Sequence, residues 1–154
     1  MRLLLLPCLL LAAPAARAQT TAPAPAETEA VKATVTRFFE GLRKGDSAVV
    51  RSTLAPTVVL HTISTRGGSP QVMTESPREF LQAVGTPHKE VWDERISFER
   101  VLIDAQLASV WTPYQFYLDN KFSHCGYNSF QLVKLPQGWR IAYVIDTRRK
   151  EPCK

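Results

Sequence analysis

The sequence predicts an α+β domain in which helices cover one face of a strongly curved antiparallel sheet. Three observations carry that expectation. Helical periodicity opens the domain, long alternating segments separated by tight turns fill its second half, and one well-capped helix interrupts the early strands. Strands well beyond the usual ~5–6 residues are expected to twist and bend.

The chain begins "MRLLLLPCLLLAAPAARAQ", with a basic residue, an apolar run and the small-residue pattern Ala16-Arg17-Ala18. That is the layout of a secretory signal peptide, and the run is too short to span a bilayer. Residues 1–18 are expected to be removed and the protein exported, periplasmic or secreted, with no membrane attachment after cleavage. Cleavage after Ala18 leaves 136 of the 154 residues, enough for one domain. Losing Arg2 and Arg17 takes Lys and Arg from 19 to 17 against 14 acidic residues, a net charge of +3. That balance is mild, and apart from Arg148, Arg149 and Lys150 the basic residues are scattered, which argues against a nucleic-acid partner. Residues 19–26, rich in Pro, Ala and Thr, read as a flexible linker. The domain proper is expected over 27–149, with a short tail at 150–154.

In "ETEAVKATVTRFFEGLRKGD", Val31, Val35, Phe38, Phe39 and Leu42 recur at helical spacing, and Gly45 can supply a left-handed cap. Asp46 reads as the N-cap of a second, short helix ending before Pro56. In "SPREFLQAVG", Ser76 caps, Pro77 takes the first helical position, Glu79 completes a capping box and Gly85 terminates. "TVVLHTI" and "QVMT" flank the turn "RGGSP". Longer strands are then expected over Val91–Asp104, Leu107–Leu118 and Lys121–Leu135, with a last one over Trp139–Asp146.

Centring the hairpin turns near 105–106, 119–120 and 136–137 pairs His124 with Gln115 and Arg149, and Gln115 with Ile96. Alternation then sorts the faces. The inner one carries Trp92, Glu94, Ile96, Phe98, Leu102, Leu107, Trp111, Gln115 and Tyr117. It continues through Phe122, His124, Asn128, Phe130, Leu132, Trp139, Ile141, Tyr143 and Ile145. Cys125, Tyr114, Asp146 and Arg148 fall on the outer face, and any β-bulge would reverse everything beyond it.

The helix–helix–strand order and the segments "WDERISF" and "GYNSFQLVKLPQGWRIAYVIDTRR" resemble the nuclear transport factor two-like (cystatin-like) superfamily. Within it the chain looks most like exported bacterial lumazine-binding-like or SnoaL-like proteins. The resemblance implies a cone-shaped sheet packed against N-terminal helices, a pocket at its wide end, and homodimerisation through the outer sheet face. The superfamily includes isomerases, dehydratases, cyclases and pure binding modules, so the resemblance does not choose a function.

His124, Gln115 and Asn128, with Glu94 diagonal to His124, form a polar island on an apolar wall. A histidine beside a carboxylate can serve as general acid or base. The same cluster can contact a small, partly apolar ligand without chemistry, or simply satisfy itself in a core. Trp92, Trp111 and Tyr143 are candidate ligand contacts, and His61 is another whose face alternation leaves open. His124 and Glu94 are the catalytic candidates for an isomerase or dehydratase. A third reading is an interaction module, with Tyr114, Phe116, Val110 and Val101 as the patch to inspect.

Three histidines without compact ligand spacing point to no metal, and no cofactor motif is present in the sequence. After leader removal Cys125 and Cys153 remain, in an oxidising compartment. Cys125 on the outer face, opposite Arg148, puts a returning tail within reach, so a Cys125–Cys153 disulfide is expected over two free thiols.

Overall fold

Helix α1 (Pro25–Lys44) buries one stripe, Val31, Val35, Phe38, Phe39 and Leu42, and presents charge elsewhere. Its last turn ends at Gly45, whose φ of 66° is the left-handed conformation that glycine adopts without penalty. Asp46 then caps α2 (Ser47–Thr53), its Oδ1 accepting from the Val49 N–H at 2.9 Å. Ser76 caps α3 (Pro77–Gly85) in the same way, from the Glu79 N–H at 3.4 Å. The computed structural model describes residues 25–65, 67–150 and 153. The expected leader lies outside the described residues, with 19–24 of the linker, and α1 begins two residues before the expected domain boundary.

The strands are β1 (Leu54–Ser64), β2 (Gln71–Glu75), β3 (Trp92–Ile96), β4 (Arg100–Asp104), β5 (Leu107–Leu118), β6 (Lys121–Leu135) and β7 (Gly138–Thr147). They form one sheet in the order β2-β1-β7-β6-β5-β3, with β4 also paired to β5. All pairs are antiparallel except β1 with β7. The expectation of a cone-shaped, strongly curved, wholly antiparallel sheet is corrected here. The strand order is an open path whose edges, β2 at one end and β3 with β4 at the other, do not pair with each other. Strand length alone does not roll a sheet. Helices α1 and α3 cover the inner face instead, so the α+β class and the helix-on-sheet packing stand.

Phe38, Phe39, Phe80 and Phe130 join those layers, with ring centroids 5.1–6.2 Å apart. Val31, Val35, Val50, Phe130, Leu132 and Ile141 are all essentially inaccessible to solvent. Burial of each such side chain contributes about 1.5–3 kcal/mol. Glu27 fastens the start of α1 to the β6–β7 hairpin, accepting from Trp139 Nε1 at 2.9 Å and Lys134 Nζ at 2.7 Å.

Three irregularities overturn part of the expected register. The Val91–Asp104 segment breaks at Ser97–Glu99 into β3 and β4, so Gln115 pairs with Arg95, not Ile96. A bulge at Ser123 pairs His124 with Phe116 and Cys125 with Gln115. A third at Ala142 sets Ile141 opposite Leu132 but Tyr143 opposite Gln131. The first two shifts cancel for β6, which leaves His124 and Asn128 on the cavity side as expected. They do not cancel for β5. Leu107 and Trp111 are exposed there, while Ala108, Val110 and Tyr114 are buried. Leu102 and Phe122 are likewise exposed, and Val101 and Ile103 pack on the core in place of Leu102. The expected interaction patch is therefore wrong: Tyr114, Phe116, Val110 and Val101 all belong to the interior.

Cys125 is on the outer side, opposite Arg149 rather than Arg148, and is joined to Cys153 with Cα atoms 6.0 Å apart. The two cysteines are 28 positions apart. Closing a loop of that size stabilises by about 3–4 kcal/mol on the chain-entropy model.

Candidate functional site

A cavity of about 380 Å³ lies between α1, α3 and the inner face of the sheet. Helix α1 supplies Phe38, Phe39 and Leu42 because these share its buried stripe, and α3 supplies Phe80 and Ala83. Strands β3, β5 and β6 add Trp92, Glu94, Tyr114, Phe116, His124, Asn128 and Phe130. Val144, Asp146 and Arg148 enter from β7 and the residues after it, and Leu60, His61 and Glu75 from β1 and β2.

Glu94 sits inside this wall. Its Oε1 accepts from Asn128 Nδ2 at 2.8 Å. Burial pushes its carboxyl up to about 7, with the nearby Asp146 charge acting in the same direction and the Asn128 bond opposing. Tyr114 lies over Gly126, its partner on β6, and its hydroxyl crosses to β7. There it is 3.0 Å from Asp146 Oδ2 and 2.8 Å from the Thr147 carbonyl oxygen. Burial and then the Asp146 charge hold that phenol far above its ordinary range. Asp146 also pairs with Arg148 Nε at 2.9 Å.

His124 packs between Tyr114 and Phe116, with centroids 5.8 and 4.8 Å away, and its Nδ1 is 3.1 Å from Ser123 Oγ. Burial, reinforced by the Arg148 charge, lowers its pKa and favours the neutral ring. No hydrogen bond joins His124 to Glu94 among the described residues; the two share a cavity, not a contact.

Of the residues singled out from sequence, Trp92, Glu94, His124 and Asn128 meet in this wall. His61 reaches it, while its imidazole Nδ1 faces the Tyr143 hydroxyl at 3.1 Å. Gln115, Trp111 and Tyr143 do not line it. Gln115 bonds to the Tyr117 hydroxyl and Trp111 stacks on Tyr127, both away from the cavity, because each follows the shifted register. Sequence reasoning missed Tyr114, Asp146 and Arg148. One signal was available: a glycine inside a strand marks close approach of another group, and Gly126 is where Tyr114 crosses β6. Among the described residues no group of three His, Cys, Asp or Glu side chains could hold a metal ion. No described helix is long and apolar enough to cross a membrane.

Solved structures share this architecture. An NTF2-like protein of unknown function from Shewanella baltica superposes with a TM-score of 0.63 at 14% identity, covering 82% of this chain and 96% of that one. A domain with a cystatin-like fold from Nostoc punctiforme gives 0.63 at 18% identity, covering 82% and 79%. The fold is nuclear transport factor 2-like. A ketosteroid isomerase-like protein from Erwinia carotovora atroseptica shares this NTF2-like fold, with a TM-score of 0.61 at 16% identity, covering 83% of this chain and 99% of that chain. No protein-family model and no curated protein matches the sequence.

Proposed function

We propose that the chain is an exported small-molecule-binding domain of the lumazine-binding-like or SnoaL-like kind, whose cavity takes a partly apolar ligand. The observation that carries the reading is the cavity itself, about 380 Å³ walled by aromatic side chains around a few convergent polar groups. That is the ordinary make-up of a ligand site. Amide shift mapping on ¹⁵N-labelled protein titrated with neutral indole tests it. Shifts are expected to centre on Trp92, Glu94, Phe116, His124 and Asn128. Shifts confined to the outer face, or none, would contradict the reading.

One observation favours a second reading, an isomerase- or dehydratase-type enzyme. A carboxyl held near 7 is poised to exchange protons at neutral pH. In that case Glu94, rather than a His124–Glu94 pair, moves the proton, since the two side chains are not hydrogen-bonded. Turnover of an enone or hydroxy-ketone should fall about 10²–10⁴-fold in Glu94→Gln. Equal turnover in that variant would remove Glu94 from the chemistry.

A further inference from the structure

The polar groups of the cavity are unequal in charge. Among the described residues that line it, Glu75, Glu94 and Asp146 face a single permanent cation, Arg148, and Arg148 Nε is already bonded to Asp146. Glu94 has one neutral partner, the Asn128 amide on Oε1, and its Oε2 carries no hydrogen bond among the described residues. Phe38, Phe80, Trp92 and Phe116 line the same cavity, and Phe116 is the cross-strand partner of Glu94. A carboxylate held in a largely apolar cavity without a cation is costly, so its natural complements are a proton or a positive charge brought by a ligand. Aromatic walls attract a cation through their quadrupoles and give nothing comparable to an anion.

We propose that the pocket selects a ligand carrying a protonated amine on an apolar body, the ammonium seated at Glu94 Oε2. This rests on the small-molecule reading above and names its ligand class. Below about pH 7 the amine has to displace the proton that burial keeps on Glu94, whereas above it the ammonium meets the free carboxylate. The polar and titratable groups that share the cavity with Glu94 are Asn128 and His124 from β6, Tyr114 from β5, Asp146 from β7 with Arg148 just after it, and Glu75 and His61 from β2 and β1. Among the described residues, helices α1 and α3 contribute to that cavity only Phe38, Phe39, Leu42, Phe80 and Ala83. Burial lowers the pKa of His124, so its ring is neutral at pH 8 and adds no competing charge there.

The test is a matched series on one ring system: tryptamine, neutral tryptophol and anionic indole-3-acetate, titrated calorimetrically into the full protein. At pH 8 tryptamine should bind at least about ten-fold tighter than tryptophol, a difference worth about 1.4 kcal/mol. Indole-3-acetate should be the weakest. Lowering the pH through 7 should weaken tryptamine roughly ten-fold per pH unit, as Glu94 holds its proton, and leave tryptophol nearly flat. Glu94→Gln should abolish the preference for tryptamine. Tryptophol or indole-3-acetate matching tryptamine at pH 8, tryptamine tightening as pH falls, or a preference that survives in Glu94→Gln would each overturn the amine inference. In all three cases the pocket reading would stand. If indole and all three derivatives leave the cavity amides unshifted, the pocket reading falls and takes this inference with it.

Discussion

Gly126→Ala is expected to destabilise the domain by about 3–4 kcal/mol, among the larger effects a single methyl can have. A Cβ at this position would overlap the Thr147 carbonyl oxygen and lie 2.8 Å from Tyr114 Cε1. Neither neighbour can yield cheaply. Thr147 is held as backbone of β7, and the Tyr114 ring is fixed by its bonds to Asp146 and Thr147. Relief requires moving the end of β7, which carries Asp146 and Arg148 into the cavity. Urea unfolding measures the loss, and Gly67→Ala is the control. A Cβ at Gly67 meets nothing within 4 Å, so that variant should stay within about 0.5 kcal/mol of the parent. Equal stability of the two variants would mean the crossing of Tyr114 over Gly126 is not as described.

Glu94→Gln is expected to act in the opposite direction, and only above acid pH. Glu94 keeps its proton in the folded state up to about 7, whereas an ordinary glutamate releases it near 4.5. Between those values the folded protein binds a proton that the unfolded chain has released. Stability from this group is therefore fully present at or below about 4.5 and is lost as pH rises through 7. Glutamine does not titrate and preserves an acceptor for Asn128. The variant should match the parent near pH 4.5 and exceed it by about 3 kcal/mol at pH 8, since each pH unit across that interval is worth roughly 1.4 kcal/mol. Paired denaturation curves at the two pH values decide this. A difference that does not change with pH would mean that Glu94 ionises in the folded protein as an ordinary glutamate does.

Much of the fold was legible because its signals are local. Asp46 and Ser76 cap helices through their own side chains, and the α1 stripe follows from spacing alone. The turns at 105–106, 119–120 and 136–137 also lie where short polar segments place them. Register was not legible beyond the first irregularity, because a one-residue slip turns every later side chain over. Nothing local marks Ser123 or Ala142 as bulged. His124 and Asn128 reached the cavity because two slips cancelled, and Trp111 and Gln115 missed it because one did not. Asp146 and Arg148 turned inward through the bulge at Ala142, so the ion pair in the cavity wall was hidden from alternation. Sheet closure is equally non-local: whether β2 meets β3 depends on the whole sheet, and here it does not.

Both functional readings require that the cavity under α1 and α3 admit a small molecule. Native mass spectrometry of the protein isolated from its own host is the decisive test, with Val144→Phe prepared in parallel. Val144 lines the cavity, and phenylalanine there would occupy part of its volume. A discrete non-covalent adduct is expected on the parent protein, lost or greatly reduced in Val144→Phe. A bare parent chain, or an adduct retained undiminished in the filled variant, would show that the cavity is not a binding site.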